Sequence, residues 1–188
     1  MTKRNAATVR DSAATKDSIL KAAGILFTQK GYDGVGVREI ASTANCNAAL
    51  VNRYFGSKKE LYAKVMEQSV GFDEIFNGPR EEFGMRLATV MLAYVPEGFD
   101  PMLTSMRSTT SAEAMEIALQ TKQTQYLSKI TEWLGGINAQ ERASMIISIT
   151  SGIYYMRSIM KDPNLNTNNS ETLTERLAKL IQKVVDEE

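Results

Sequence analysis

The sequence predicts an all-α protein in two parts: an N-terminal three-helix head built around a helix-turn-helix, and a C-terminal helical body. Three observations lead there. Apolar residues recur at three- and four-residue spacing, the repeat that lines one face of a helix. No segment sustains the period-two alternation that a half-buried strand requires. Caps, glycines and prolines cut the chain at intervals that suit helices.

Taken in order, Ile19, Ala23, Leu26 and Phe27 share one face of a first helix that Gly31 closes. Val37, Ile40, Ala41 and Ala44 repeat the pattern in a short second helix, 37–44. Asn45-Cys46-Asn47 separates it from a third, 48–55, whose Leu50, Val51 and Phe55 are expected to point inward. Asn45 suits the positive-φ position of that turn, because asparagine tolerates the left-handed region better than most residues. Asn47 can then cap the third helix. Ser57-Lys58-Lys59-Glu60 reads as a capping box, in which the serine hydroxyl and the glutamate reciprocally satisfy orphan N–H groups. Gly78-Pro79 can start the next helix, and the stretch 96–101 breaks it. Thr110 with Glu113 makes a second box, opening a long run to Trp133-Leu134 that Gly135-Gly136 stops. A further helix covers about 139–161, residues 162–169 form a loop, and Ser170 caps a last helix over about 171–186.

The last helix carries a single stripe of Leu173, Leu177, Leu180, Ile181 and Val184, so one packing partner satisfies it. The helix before it is apolar on more than one face. Ile146, Ile149, Ile153, Met156 and Met160 line one side, while Ile147, Tyr154 and Ile159 fall off it. Such a helix needs two partners. It is either the centre of its own core or covered on one side by a second subunit.

Composition excludes several classes of function. The chain of 188 residues has no histidine and one cysteine, which removes Ser-His-Asp and Cys-His triads, His-ligated metals and disulfide frameworks. An enzyme is therefore not expected, nor a metal or other cofactor. A reducing cytoplasm is the simplest compartment. No apolar run reaches the roughly 20 residues that span a bilayer. Net charge is zero, with 22 basic and 22 acidic residues, but the total conceals a division. Residues 1–65 hold 11 basic and 5 acidic residues, +6, and residues 66–188 hold 11 and 17, −6. A basic head on an acidic body suits a polyanion-binding end.

The side chains expected to face outward on the head match that charge. Ala48, Ala49 and Asn52 sit near the N-terminal end of the third helix, where a recognition helix meets base edges. The alanines permit close approach, and asparagine can bond adenine through two groups at once. Arg38 can reach a guanine edge or a phosphate. Asn47, Arg53 and Tyr54 join the interface, and Lys58 with the N–H groups after Ser57 offers a phosphate site. An N-terminal arm with Lys3, Arg4 and Arg10 can follow the backbone.

At these residues the chain resembles the TetR/AcrR family of bacterial transcriptional regulators. The likeness covers about 45 contiguous residues: ILKAAGILFTQKGY, then REIA, then NAALVNRYFGSKKELY. Four residues, at three places, depart from the family's usual pattern. Val35-Gly36 stands where a hydroxyl residue opens the second helix, Asn45 replaces a glycine and Asn52 replaces a tyrosine. The resemblance implies a head at 1–65 that binds double-stranded DNA at a palindromic operator. It also implies a body at 66–188 for dimerisation and ligand binding, with homodimer contacts through helices 139–161 and 171–186. A small lipophilic effector would lie between the middle helices, for which Met91, Tyr94, Phe99, Met102, Met106, Tyr126, Trp133 and Tyr155 are available linings; core filling is the other use for the same residues. Arg107 or Arg157 in that space would favour an anion. The competing reading is a DNA-binding architectural or cell-division factor on the same fold, without an effector.

Overall fold

A computed structural model describes residues 3–68, 73–93, 98–165 and 170–187; of these, the side chains at 3–11, 122, 124, 125, 170 and 171 lie outside the description. Tyr94, the side chains of Lys3, Arg4 and Arg10, and the capping hydroxyl expected at Ser170 therefore fall outside the described set. The elements are α1 (Lys3–Lys30), α2 (Val37–Thr43), α3 (Ala48–Phe55), α4 (Lys58–Met66), α5 (Phe83–Ala93), α6 (Pro101–Arg107), α7 (Ala112–Thr121), α8 (Ser128–Leu134), α9 (Ala139–Ser158) and α10 (Ser170–Asp186). Tight 3-10 turns occur at Asp73–Phe76, Arg80–Glu82 and Pro163–Leu165, and a wide π-helical turn at Lys122–Leu127. The fold is all-α, as the periodicity predicts.

The chain packs as two units, residues 1–69 with 96–121 and residues 70–95 with 122–188. This places α6 and α7 with α1–α4. The reason is a buried polar seam at the end of α1. Gly31, at φ +69°, stops that helix with its N–H on the Phe27 carbonyl, 2.9 Å. A Cβ there would lie 2.5 Å from the Arg107 carbonyl oxygen, so α6 comes as close as glycine allows. Arg107 donates to the Thr28 and Gln29 carbonyls at 2.6 and 2.9 Å, supplying both donors and positive charge at a helix C-terminus. The Asp100 N–H donates to Thr28 Oγ1, whose hydroxyl meets that of Thr104, both at 2.9 Å. Ser108 accepts the Tyr32 N–H at 3.0 Å and donates to the Thr104 carbonyl at 2.7 Å. Asp100, Thr104 and Ser108 are buried, and pairing offsets their desolvation. Around the seam lies an apolar core of Ile19, Ala23, Phe27, Ile40, Val51, Leu61, Tyr62 and Val65. Tyr62 meets Phe27 and Tyr32 edge-on at 5.1 and 5.0 Å.

In the second unit Phe83 stacks on Trp133 at 4.2 Å, with Phe76 at 6.0 Å from each. Gly84 admits the close crossing of α5 and α10, since a Cβ would stand 2.3 Å from the Ala178 carbonyl oxygen. Arginines finish the helix ends. Arg80 donates to the Leu134 and Val185 carbonyls (3.0 and 3.3 Å) and Arg142 to those of Val185 and Gly135 (3.1 and 2.6 Å). Arg157 donates to the Met91 and Leu92 carbonyls at the end of α5, 3.1 and 3.0 Å. The inward face of α9 is Ala139, Arg142, Ala143, Ile146, Thr150 and Tyr154. Thr150 fits there because its hydroxyl bonds the Ile146 and Ile147 carbonyls. Tyr154 thus packs inward, while Met156 and Met160, from the expected stripe, are exposed.

Several local expectations change. The basic arm is helical from Lys3 onward. Thr110 is exposed, α7 begins at Ala112 after buried Ser111, and Glu113 accepts from Tyr32 instead of closing a box. The long run to Leu134 is interrupted by the π turn, where the Ser128 hydroxyl takes the Gln123 carbonyl at 2.7 Å. Ser57 accepts the Glu60 N–H (3.1 Å) as expected, but the glutamate takes the serine hydroxyl (2.9 Å), because the Ser57 N–H turns to the Phe55 carbonyl (3.0 Å).

The Tyr32 hydroxyl donates to Glu113 Oε2 at 2.7 Å, and burial together with that carboxylate pushes its pKa above the ordinary 10.0. A raised pKa means that the neutral phenol stabilises the fold fully below pH 10 and that this contribution is lost as pH rises beyond it. Tyr32→Phe should cost about 1 kcal/mol in urea unfolding at pH 7. The gap from the parent should narrow above pH 10; a gap constant from pH 8 to 11 would contradict the assignment.

Candidate nucleic-acid interface

The turn between α2 and α3 is built by its asparagines. Asn45 has φ +52°; the Cys46 N–H reaches back to the Ala41 carbonyl at 2.9 Å and the Ala44 N–H to Ile40. This is the C-terminal closure that glycine usually provides, here made by the residue type best able to replace it. Asn47 then caps α3, its side-chain oxygen accepting the Ala49 N–H at 2.8 Å. Both sequence expectations hold.

The core fixes which face of α3 remains outside. Val51 is buried, and Ala48, Tyr54 and Phe55 pack against the same cluster. Ala48 therefore serves the core, a correction to its expected outward place. Ala49, Asn52 and Arg53 are exposed, as are Asn47 and, from α2, Arg38. Among the described residues no ion pair engages Arg38 or Arg53. Tyr54 is half-buried, with Lys16 Nζ 5.4 Å from its ring centre. That places Lys16 beside the end of α3, a cation missed because 38 positions separate the two in sequence.

Lys58 is more occupied than its position suggests. Its ammonium donates to the Tyr32 and Val35 carbonyls at 3.1 and 3.2 Å and lies 4.1 Å from the Tyr32 ring centre. Two of its three N–H groups hold the loop between α1 and α2, so one donor is left for an anion. The neighbouring Lys59 pairs with Glu116 at 2.9 Å; the bond raises the lysine pKa and lowers that of the glutamate.

The proposed effector linings are divided between the two units, with Tyr94 outside the described residues. Phe99 packs on the head core, close to Gly24, and Met102 and Met106 stand half-buried on α6. In the other unit Met91 is buried, Trp133 is stacked on Phe83, Tyr126 is half-buried in the π turn and Tyr155 is 41% exposed. An open depression of about 510 Å³ along α10 is lined by Lys179, Gln182, Lys183, Asp186 and Glu187. Arg107 and Arg157 are both engaged at helix ends. Among the described residues no group of acidic or cysteine side chains could hold a metal, and no helix is long and apolar enough to cross a membrane.

Comparison with known proteins matches both halves of the sequence. Residues 19–65 match the family described as bacterial regulatory proteins, tetR family, and residues 81–185 match the tetracyclin repressor-like C-terminal domain. The chain is 42% identical over 55 residues to the probable HTH-type transcriptional regulator YttP of Bacillus subtilis, covering 29% of this chain and 27% of that protein. It is 33% identical over 66 residues to the HTH-type transcriptional repressor NicS of Pseudomonas putida, 35% and 31% of the two chains. These matches thus span under a third of either relative. Among solved structures, NalD, the secondary repressor of the MexAB-OprM multidrug efflux pump of Pseudomonas aeruginosa, superposes with a TM-score of 0.69 at 16% identity, over 92% of this chain and 97% of that one. A TetR-family regulator of Streptomyces coelicolor gives 0.61 at 22% identity, over 93% and 96%. At such identities the structures establish likeness of fold.

The missing hydroxyl at the start of α2 has a local consequence. Gly36 occupies the cap position with extended φ −102°, makes no side-chain cap, and has nothing within 4 Å of a would-be Cβ. Gly36→Ser should therefore raise stability by a few tenths of a kcal/mol in thermal unfolding. A loss above about 1 kcal/mol would show that the site is not open.

Proposed function

The chain belongs to the tetR family of bacterial regulatory proteins; from that premise we propose that it is a DNA-binding transcriptional regulator, a homodimeric repressor released from a palindromic operator by a small lipophilic effector. The observation that carries the reading is the rigid α2–turn–α3 pair, with Ala49, Asn52 and Arg53 exposed on a third of the chain that carries +6. Ala49 and Asn52 face bases, with Arg38 beside them. Asn47, Arg53, Tyr54, Lys16 and the remaining donor of Lys58 bind phosphates, and Ala48 sets how closely the helix packs on its own core. This assignment separates residues that read sequence from those that position the head.

Dimerisation is supported by the outer face of α9. Met145 and Met156 are exposed in a row with half-covered Ile149, Met160 (57%) is exposed just past the end of the helix, and Leu180 (50%) is exposed on α10. Gly152 lies in the same row with nothing within 4 Å of a would-be Cβ. A mid-helix glycine costs roughly 1 kcal/mol against alanine, and nothing within the protomer accounts for it. A second copy crossing there would. An isologous contact through 139–161 and 171–186 would give two recognition helices on successive major grooves. Release requires the effector to favour a conformation with badly spaced heads; a shift from 1:99 to 99:1 takes about 5.5 kcal/mol of differential binding. The effector's walls would come from the methionine and aromatic set. NicS and NalD, both named as repressors, support the sign of regulation.

Selection from a random duplex library with the full chain should enrich an inverted repeat, and Asn52→Ala should relax preference at one position of each half-site. Enrichment of no sequence would overturn the reading. Met156→Glu should leave helix content intact and yield monomers in sedimentation at micromolar concentration. Unchanged dimers would place the interface elsewhere.

A further inference from the structure

Among the described residues, Leu50 does not take the place in the head core that its sequence pattern assigns to it. It is half-covered, and it does not join the buried cluster that Val51 enters and on which Ala48, Tyr54 and Phe55 pack. With about 100° between successive residues of a helix, the direction opposite Val51 falls between Ala49 and Arg53. Leu50 and Asn52 then flank that direction on either side, each about 80° away. The leucine therefore borders the same outward face as the exposed polar side chains, within a turn of the α3 N-terminus.

We propose that Leu50 is a specificity-determining side chain that reads the 5-methyl group of a thymine in each half-site. The inference rests on the DNA reading of α3 above and adds the base that the helix selects. A branched apolar tip has neither donor nor acceptor, so it cannot pair with the polar edge of guanine, adenine or cytosine, and covering such an edge costs free energy. In the major groove thymine alone presents an apolar group. Asn52, on the other flank, is suited to adenine. The two flanks together select an A·T-rich half-site, and Leu50 discriminates thymine from cytosine where hydrogen bonding by Asn52 does not reach.

The test uses the full chain and a duplex selected by it, with each half-site thymine replaced in turn by deoxyuridine, which removes only the methyl group. At one position per half-site the replacement should weaken binding roughly fourfold, the worth of one buried methyl. Leu50→Ala should bind the thymine and deoxyuridine duplexes equally, whereas Leu50→Met and Asn52→Ala should retain the ratio. The same ratio in Leu50→Ala as in the parent, or no thymine at which the methyl matters, overturns the proposal. If Leu50→Ala fails to fold, as judged by circular dichroism, Leu50→Ser, which also lacks the branched apolar tip, takes its place with the same expectation. A selection that enriches no sequence is a different failure, since it removes the DNA reading itself and this proposal with it.

Discussion

Tyr32 is the residue through which the head is held in shape. Its ring packs with Phe27 and Tyr62, its N–H bonds Ser108, its hydroxyl bonds Glu113, and its carbonyl accepts from Lys58. Four separate segments meet on this one side chain and its peptide. Lys58 extends the arrangement, because its ammonium also holds the Val35 carbonyl just before α2 begins. The position of α2, and through the Asn45 turn that of α3, depends on the end of α1 being fixed. Aromatic contacts of about 0.5–1.5 kcal/mol each and satisfied buried hydrogen bonds make that fixation strong for a small unit. A rigid head is what a recognition helix requires, since base-edge contacts tolerate little displacement.

The same seam explains why α6 and α7 pack with the head. Thr28, Thr104 and Ser108 are small polar residues that would be costly to bury alone; paired across 76 positions of sequence, they make one continuous layer. Any displacement of α6 would act on the Gly31–Arg107 contact, where a would-be Cβ has only 2.5 Å.

Much of this was legible in the sequence because it is local. The Asn45 turn, the Asn47 cap and the inward places of Val51 and Ile40 follow from spacing and from the preferences of single residue types. The misreadings were non-local. Glu113 resembled a capping residue three positions after Thr110, but its partner is Tyr32, 81 positions away. Lys58 looked available because nothing nearby in sequence opposes it, yet two distant carbonyls engage it. Leu50 fits an apolar period while standing outside the core, and Tyr154 breaks the period while packing inward, because helical spacing specifies a stripe and not the width of the neighbour that covers it. The charge sum is likewise a coarse guide to which cations are available. Arg107 in the head, and Arg80, Arg142 and Arg157 in the body, serve helix carbonyls, while Lys30 and Lys59 are paired with Glu39 and Glu116. Arg38 and Arg53, which no ion pair engages among the described residues, add to that sum the positions at which a polyanion can be met.

The central claim is that the exposed face of α2 and α3 contacts DNA and that the head does so without rearranging. Amide hydrogen exchange of the full chain, with and without a selected duplex, tests it directly. Protection on binding should concentrate in residues 36–58, with little change in the buried seam at 27–32 and 100–108, which is already closed. Protection confined to residues 122–187, or a seam that gains protection only when DNA is present, would contradict the account.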